Sequence, residues 1–304
     1  MRLAPCVPHW VMAQRETEMH IDNQFVHCSA FLGMPLTDGR FHVEGTGFFY
    51  RIDEGGLIFS YLISAKHVVR DYFYRRPGGA LAVRVQRKLG LAPKLFDTTS
   101  DDWLDNPDSN VDISVYEVPW GKWDLDNDLN IIALMNYSSE ELERLLANAG
   151  FGLGSEVFIP SAYAVVPGEK QNFPVVRFGR ISAMPSEPLW VASPTRPAFL
   201  VETRSLGGMS GAPVLFHTDP YYMGPRKPIS DESDNKIRVY PSLLIGLIRG
   251  TYPGNSQSDW TEEIVGADER FNTGISIVLP ISQIIETVNQ QVLHDSRQAS
   301  IAAR

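Results

Sequence analysis

Short stretches mixing apolar and polar residues at 25–32, 41–50, 156–159, 175–181 and 198–202 have strand-like patterns, and 81–86 alternates as another strand. Apolar runs at 57–62, 214–216, 243–248 and 274–280, and the alternating Val111-Asp112-Ile113-Ser114-Val115, predict further strands. Thr37-Asp38-Gly39 and Asp53-Glu54-Gly55-Gly56 read as turns, the second as a hairpin. Helical periodicity is confined to two places. Residues 138–149 carry Ser138 and Glu141 at capping-box spacing, an apolar stripe of Leu142, Leu145, Leu146 and Ala149, and Gly150 as a stop. Residues 281–293 read as a terminal helix. Polar loops are expected at 94–110, 217–240 and 253–272, and residues 1–20 lack periodicity. Short strands, turn-rich gaps and one closing helix favour paired β-barrels over an alternating α/β architecture. Neither an internal repeat nor a low-complexity tract interrupts the pattern.

Composition narrows the class. The 304 residues suffice for one large or two small domains, and 43% hydrophobic with 21% charged content is that of a folded soluble chain. A formal charge of −9 advertises no nucleic-acid-binding surface. Arg70, Arg75, Arg76, Arg84, Arg87 and Lys88 cluster in sequence, but interspersed cations on exposed strands account for them more simply. Two cysteines, Cys6 and Cys28, make no disulfide framework, and reduced thiols fit a cytoplasmic setting. No uninterrupted apolar run follows Met1-Arg2, so no secretory leader is expected, and the longest apolar runs are too short to span a bilayer, so no membrane partner is expected.

Candidate chemistry centres on Leu206-Gly207-Gly208-Met209-Ser210-Gly211-Ala212-Pro213. A nucleophilic serine needs a tight turn that exposes its hydroxyl, with backbone N–H groups aimed at the oxygen that becomes negative. Glycines on either side of Ser210 permit that turn. Upstream lie a base and an acid: His67, at the end of Ile63-Ser64-Ala65-Lys66-His67, and Asp112, in Val111-Asp112-Ile113-Ser114-Val115. Taken singly, each has a plainer reading, as a structural histidine, a turn-capping aspartate and a turn serine. The order His67, Asp112, Ser210 is what gives the three weight together.

These segments resemble the nucleophile, histidine and aspartate segments of the chymotrypsin-like (trypsin-like) serine peptidases, bacterial-type intracellular members in particular. Gly45-Thr46-Gly47-Phe48 resembles the strand before the histidine in bacterial members. The resemblance implies an all-β fold, a chymotrypsin-like double β-barrel with an inter-barrel helix and a C-terminal helix. On that plan residues 1–24 are an N-terminal arm and 25–120 the first barrel, with His67 and Asp112. Residues 121–154 are the connection, 155–280 the second barrel with Ser210, and 281–304 the helix and tail.

It further implies a serine endopeptidase in which Ser210 is the nucleophile, His67 the general base and then acid, and Asp112 the orienting carboxylate. The N–H groups of Gly208 and Ser210 are the implied oxyanion hole; no cofactor and no metal is implied. Arg204, with Ser205 beside it, falls where the base of the primary specificity pocket lies, which would favour acidic side chains, unless Arg204 turns outward or pairs with Glu202. Arg249 and Gly250 fall on the strand whose end pairs with substrate backbone. Met209 stands where digestive members carry an aspartate that pairs with a new N-terminus, so activation by that bridge is not supported. Lys66 would depress the basicity of the neighbouring imidazole if it pointed inward, and would be neutral if exposed.

The expected partners are a protein or peptide substrate and a regulatory protein that gates activity. Two alternatives stand beside this reading. A catalytically silent protease-fold binding module would keep the same residues without turnover. An α/β-hydrolase esterase fails on chain order unless His294 served as base, and Ala212 stands where its motif has glycine.

Overall fold

The structure, a computed structural model, describes residues 23–88, 91–124, 127–186, 196–204, 206–217, 242–253 and 272–304. The expected arm at 1–24, Cys6, Ser205 and the expected loops at 217–240 and 253–272 therefore lie wholly or almost wholly outside the described residues.

Two β bodies follow one another along the chain. The first contains β1 (Ser29–Pro35), β2 (Phe41–Glu54), β3 (Leu57–Ala65), β4 (Leu81–Val85), β5 (Lys94–Thr98), β6 (Trp103–Asp105), β7 (Ile113–Glu117) and the short β8 (Leu134–Met135). Its sheet order is β5-β4-β1-β2-β3-β7-β6, with β8 parallel to β2. The second holds β9 (Glu156–Ser161), β10 (Val175–Ala183), β11 (Phe199–Glu202), β12 (Pro213–His217), β13 (Ser242–Pro253) and β14 (Asn272–Pro280). These close into a barrel in the order β10-β11-β14-β13-β12-β9. Buried apolar side chains of both bodies join in one continuous core, from Phe48 and Leu62 to Val214 and Ile277.

Local chemistry explains several junctions. β2 and β3 are joined by Gly55-Gly56, with φ of 59° and 75°; two residues at positive φ make the hairpin loop whose twist matches the strands. The connecting helix begins at Ser138, whose Oγ accepts the Glu141 N–H at 3.2 Å, and stops at Gly150, φ 69°.

Elsewhere the structure departs from the sequence-based expectation. The first body is an open sheet rather than a closed barrel. Its two edge strands, β5 and β6, are consecutive in sequence, and the tight turn between them holds Thr99 N–H on Asp102 Oδ2 at 2.6 Å. The gap is bridged by a side chain, Trp103 Nε1–H donating to Thr98 Oγ1 at 2.9 Å, instead of by a backbone ladder. Residues 94–110 are thus structured, with Phe96 stacked on Trp123 at 4.1 Å. Residues Asn23–Cys28 form a 3-10 turn ahead of β1, where a strand was expected from residue 25. A helix, α1 (Lys66–Arg75), follows β3 although the sequence offers no capping side chain at Ala65.

The terminal helix is two helices, Ile281–Val288 and Gln291–Ala302. They part because Arg297 takes over the carbonyl at the break. Its Nη1 donates to Val288 O at 2.9 Å and to Tyr61 OH at 3.0 Å, Nη2 donates to Asn289 Oδ1 at 2.8 Å, and Nε pairs with Glu54 Oε2 at 2.6 Å. Only 1% of Arg297 is exposed, so the last helix is fastened to the β2–β3 hairpin. The preceding helix is tied to the β6–β7 turn by Asn106 Nδ2–H donating to Thr287 Oγ1, 2.8 Å.

The clustered cations are used internally. Arg70 meets Asp105, Arg75 and Arg76 share Glu44, Arg87 meets Asp128, and Lys88 Nζ donates to Asn127 O. Among the described residues no helix is long and apolar enough to cross a membrane.

Candidate active site

Asp112 serves two purposes at once. Its Oδ1 accepts the backbone N–H of His67 at 2.8 Å, and its backbone oxygen accepts that of Lys66 at 3.2 Å. These are free donors of the first turn of α1, so a carboxylate from a distant segment caps the helix and complements its positive end. The other oxygen, Oδ2, lies 2.7 Å from His67 Nδ1. A carboxylate accepts only, so Nδ1 carries the proton and Nε2 is left as the acceptor. The His67 side chain is 39% exposed and that of Asp112 11%, which leaves the far edge of the ring open to a substrate.

The turn before Asp112 is self-supported. Asn106 Oδ1 accepts Asp108 N–H at 2.8 Å and Asp108 Oδ1 accepts Asn110 N–H at 2.9 Å. That Asn110 N–H, and after it the Arg196 guanidinium, holds the Asp108 carboxyl below the usual carboxylate range. The Lys66 Nζ donates to Ser109 O at 2.8 Å and fastens the same turn.

Ser210 lies half-buried between β11 and β12, on a turn bounded by Gly208 (φ 98°) and Gly211 (φ 84°). Its backbone oxygen accepts Thr46 N–H from β2 at 2.9 Å, and Gly211 N–H donates to Ile248 O at 2.8 Å. A Cβ built on Gly211 would stand 2.2 Å from Thr46 O, 2.3 Å from Ser64 Oγ and 2.9 Å from Ala65 N, so the turn is seated on β2 and β3 two residues before His67. Among the described residues no hydrogen bond joins the Ser210 hydroxyl to the His67 ring. Such bonds are often long in unliganded sites and tighten when substrate binds. Gly211→Ala is expected to cost about 1–2 kcal/mol for left-handed backbone and about 1–3 kcal/mol for overpacking. A lower midpoint in urea unfolding would register it; an unchanged midpoint would mean that the turn is not held as described.

The remaining expected site residues are distributed as follows. Gly208 has both adjoining peptides pinned, Gly207 O accepting Ala164 N–H at 3.0 Å and Gly208 O accepting Thr46 Oγ1–H at 2.6 Å. Met209 is buried, with its sulfur accepting the Leu206 N–H at 3.3 Å. Arg249 sits at a bulge in β13, between Ile248 and Gly250, and its Nε is 3.4 Å from Asp112 Oδ2, so its side chain faces the carboxylate. Gly250 pairs with Ile277. Arg204 is exposed and lines a cavity of about 760 Å³ with Glu156, Phe178, Arg180 and Glu202; none of His67, Asp112 or Ser210 lines it. Ser205 is outside the described residues.

Cys28 is buried and free, and burial pushes its thiol well up, away from nucleophilic use. No group of three His, Cys, Asp or Glu side chains among the described residues could hold a metal. Sequence reasoning gave no role to Thr46, yet its glycine neighbours were a signal. A Cβ on Gly45 would meet Val68 at 2.7 Å and Ser210 O at 3.0 Å, so the backbone there must be bare for the turn to approach.

No family model and no curated protein matches the sequence. In fold the chain is similar to solved structures of proteases. An HtrA-type protease, AlgW, with tripeptide, aligns with a TM-score of 0.48 at 14% identity, over 88% of this chain and 60% of that one. The MamO protease domain from Magnetospirillum magneticum, apo form, aligns at 0.46 and 10% identity, over 85% of this chain and 94% of that one. The thermostable serine protease AL20 from an extremophilic microorganism aligns at 0.45 and 10% identity, over 88% and 97% respectively. The chain thus spans 60% of the length of the HtrA-type protease. At 10–14% identity and TM-scores of 0.45–0.48 the likeness assigns this chain no activity.

Proposed function

We propose that the protein is a serine endopeptidase that cleaves peptide bonds of protein substrates through an acyl-enzyme. The observation that carries this reading is the Asp112 carboxylate, which holds the His67 backbone N–H and ring Nδ1 together and leaves Nε2 facing outward as a base. Ser210 Oγ attacks the scissile carbonyl while His67 Nε2 takes its proton, and the imidazolium so formed is stabilised by Asp112. Collapse of the tetrahedral intermediate passes that proton to the leaving amine; water then repeats the sequence on the ester and frees Ser210. Gly208 N–H and Ser210 N–H receive the oxyanion, each such donor being worth about 2.7–4 kcal/mol in comparable sites.

A regulatory partner, or the substrate itself, draws the Ser210 hydroxyl onto Nε2. The lack of a Ser210–His67 hydrogen bond motivates this gating. It equally favours a second reading, a binding module of protease fold that does not turn over. Labelling by a fluorophosphonate separates the two. The purified chain is expected to label, and Ser210→Ala and His67→Ala to remain unlabelled. An unlabelled native chain, even with an unfolded protein substrate present, would leave the binding module as the better account.

A further inference from the structure

Thr46 is fully buried in β2, yet its polar atoms are all committed to the turn that carries Ser210 and to its surroundings. The hydroxyl proton goes to Gly208 O at 2.6 Å, and the hydroxyl oxygen accepts Ala162 N–H at 2.9 Å. The backbone N–H donates to Ser210 O at 2.9 Å, and the backbone oxygen accepts Ser64 Oγ–H at 2.7 Å, one residue before Ala65. One residue of the first body therefore grips both ends of Gly208-Met209-Ser210 in the second.

The geometry of a trans peptide gives this grip a chemical meaning. Its C=O and N–H point in opposite directions. Ala164 N–H holds Gly207 O at 3.0 Å, so the N–H of Gly208, on the same peptide, is turned the other way. Thr46 fixes the next peptide through Gly208 O, and Gly208, at φ 98°, lies between two pinned planes. Ala162 and Ala164 belong to a loop, 162–174, that is secured at a distance from Ser210. There the Arg84 guanidinium, on β4 and 5% exposed, donates to Pro167 O at 3.1 Å, Gly168 O at 2.7 Å and Glu169 O at 3.2 Å. Asn172 Nδ2–H returns a bond to Arg84 O at 3.0 Å.

We propose that Thr46 is a positioning residue for the peptidase reaction, its hydroxyl setting the Gly208 backbone so that the Gly208 N–H faces the developing oxyanion. This rests on the reading of Ser210 as nucleophile. Thr46 does not touch the substrate; it acts through Gly208 and through Ala162. Thr46→Val keeps the shape and removes the hydroxyl, leaving Gly208 O and Ala162 N–H without their partner. Thr46→Ser keeps the hydroxyl and removes a buried methyl.

The test is the second-order rate of fluorophosphonate labelling of the full chain, with urea unfolding recorded for each variant and Ser210→Ala as blank. Thr46→Val is expected to label 10- to 100-fold more slowly than the native chain. Thr46→Ser is expected to label within about threefold of native while unfolding at a lower urea concentration, so that rate follows the hydroxyl and not stability. If Thr46→Val does not fold, Thr46→Cys, whose thiol is a weak donor, is expected to fall between native and the blank. A Thr46→Val protein that labels at the native rate overturns the proposal and leaves the peptidase reading intact. So does a series in which rate falls in step with the urea midpoint, Thr46→Ser included. A native chain that does not label above the Ser210→Ala blank overturns the peptidase reading, and this proposal with it.

Discussion

Asp112→Asn is expected to lower kcat for peptide hydrolysis by about 10⁴-fold with little change in KM, the size of effect that follows when a triad histidine is left in the wrong tautomer. Asp112 Oδ1 accepts the His67 N–H at the start of α1, and an asparagine satisfies that bond only with its carbonyl there. Its NH₂ then faces Nδ1 at the position of Oδ2. An NH₂ donates, so Nδ1 must accept and the ring proton moves to Nε2, where it blocks uptake of the Ser210 proton. Charge is lost as well, and the imidazolium is no longer opposed by a carboxylate. Arg249, 3.4 Å from the same oxygen, would then face a neutral amide. Steady-state kinetics on a peptide substrate decides the matter. A drop of less than tenfold would show that the His67–Asp112 pair is structural, and the endopeptidase reading would lose its main support.

Arg297→Ala should be the most damaging change far from Ser210, at about 3–5 kcal/mol of stability, the cost of removing one partner from a buried ion pair. Arg297 is nearly inaccessible, and Glu54, Tyr61 OH, Val288 O and Asn289 Oδ1 all accept from it. Truncation leaves Tyr61 OH and Val288 O, both fully buried, without their donor. Losing the bond to Val288 O also releases the junction between the two terminal helices. Glu54 is partly exposed and can rehydrate, which places the effect nearer the lower end of the range. For a chain of this size a loss of that order lowers the thermal midpoint by on the order of 10 °C. Calorimetry on the full chain measures it, and a midpoint within 2 °C of native would mean that the last helix is not held through this residue.

The parts of this molecule that could be read from the sequence are those whose cause is local. The two-residue loop Gly55-Gly56 and the Ser138 cap need only neighbours in the chain, and strand alternation needs only the next few residues. That the segments of His67 and Asp112 belong together was legible too, because flanking residues mark each of them. What escaped reading depends on partners brought together by folding. Lys66–Arg75 does not look like a helix, since its cap is the carboxylate of Asp112, 45 residues away. The bond from Thr46 to Gly208 spans 162 residues, and that from Arg297 to Glu54 spans 243. Nothing near Val288 announces that a later arginine will occupy its carbonyl and divide the terminal helix. The first sheet looked closed because strand count alone does not reveal that β5 and β6 meet through Trp103 and Thr98 rather than through their backbones.

The Arg84 guanidinium holds the loop 162–174 by main-chain oxygens, those of Pro167, Gly168, Glu169 and Gln171. Val165, Val166 and Phe173 meanwhile stand exposed on the same loop. Anchorage and outward character are thereby divided between different residues of one loop. The outer face of the loop can exchange apolar for charged side chains while its fastening through Arg84 is left undisturbed.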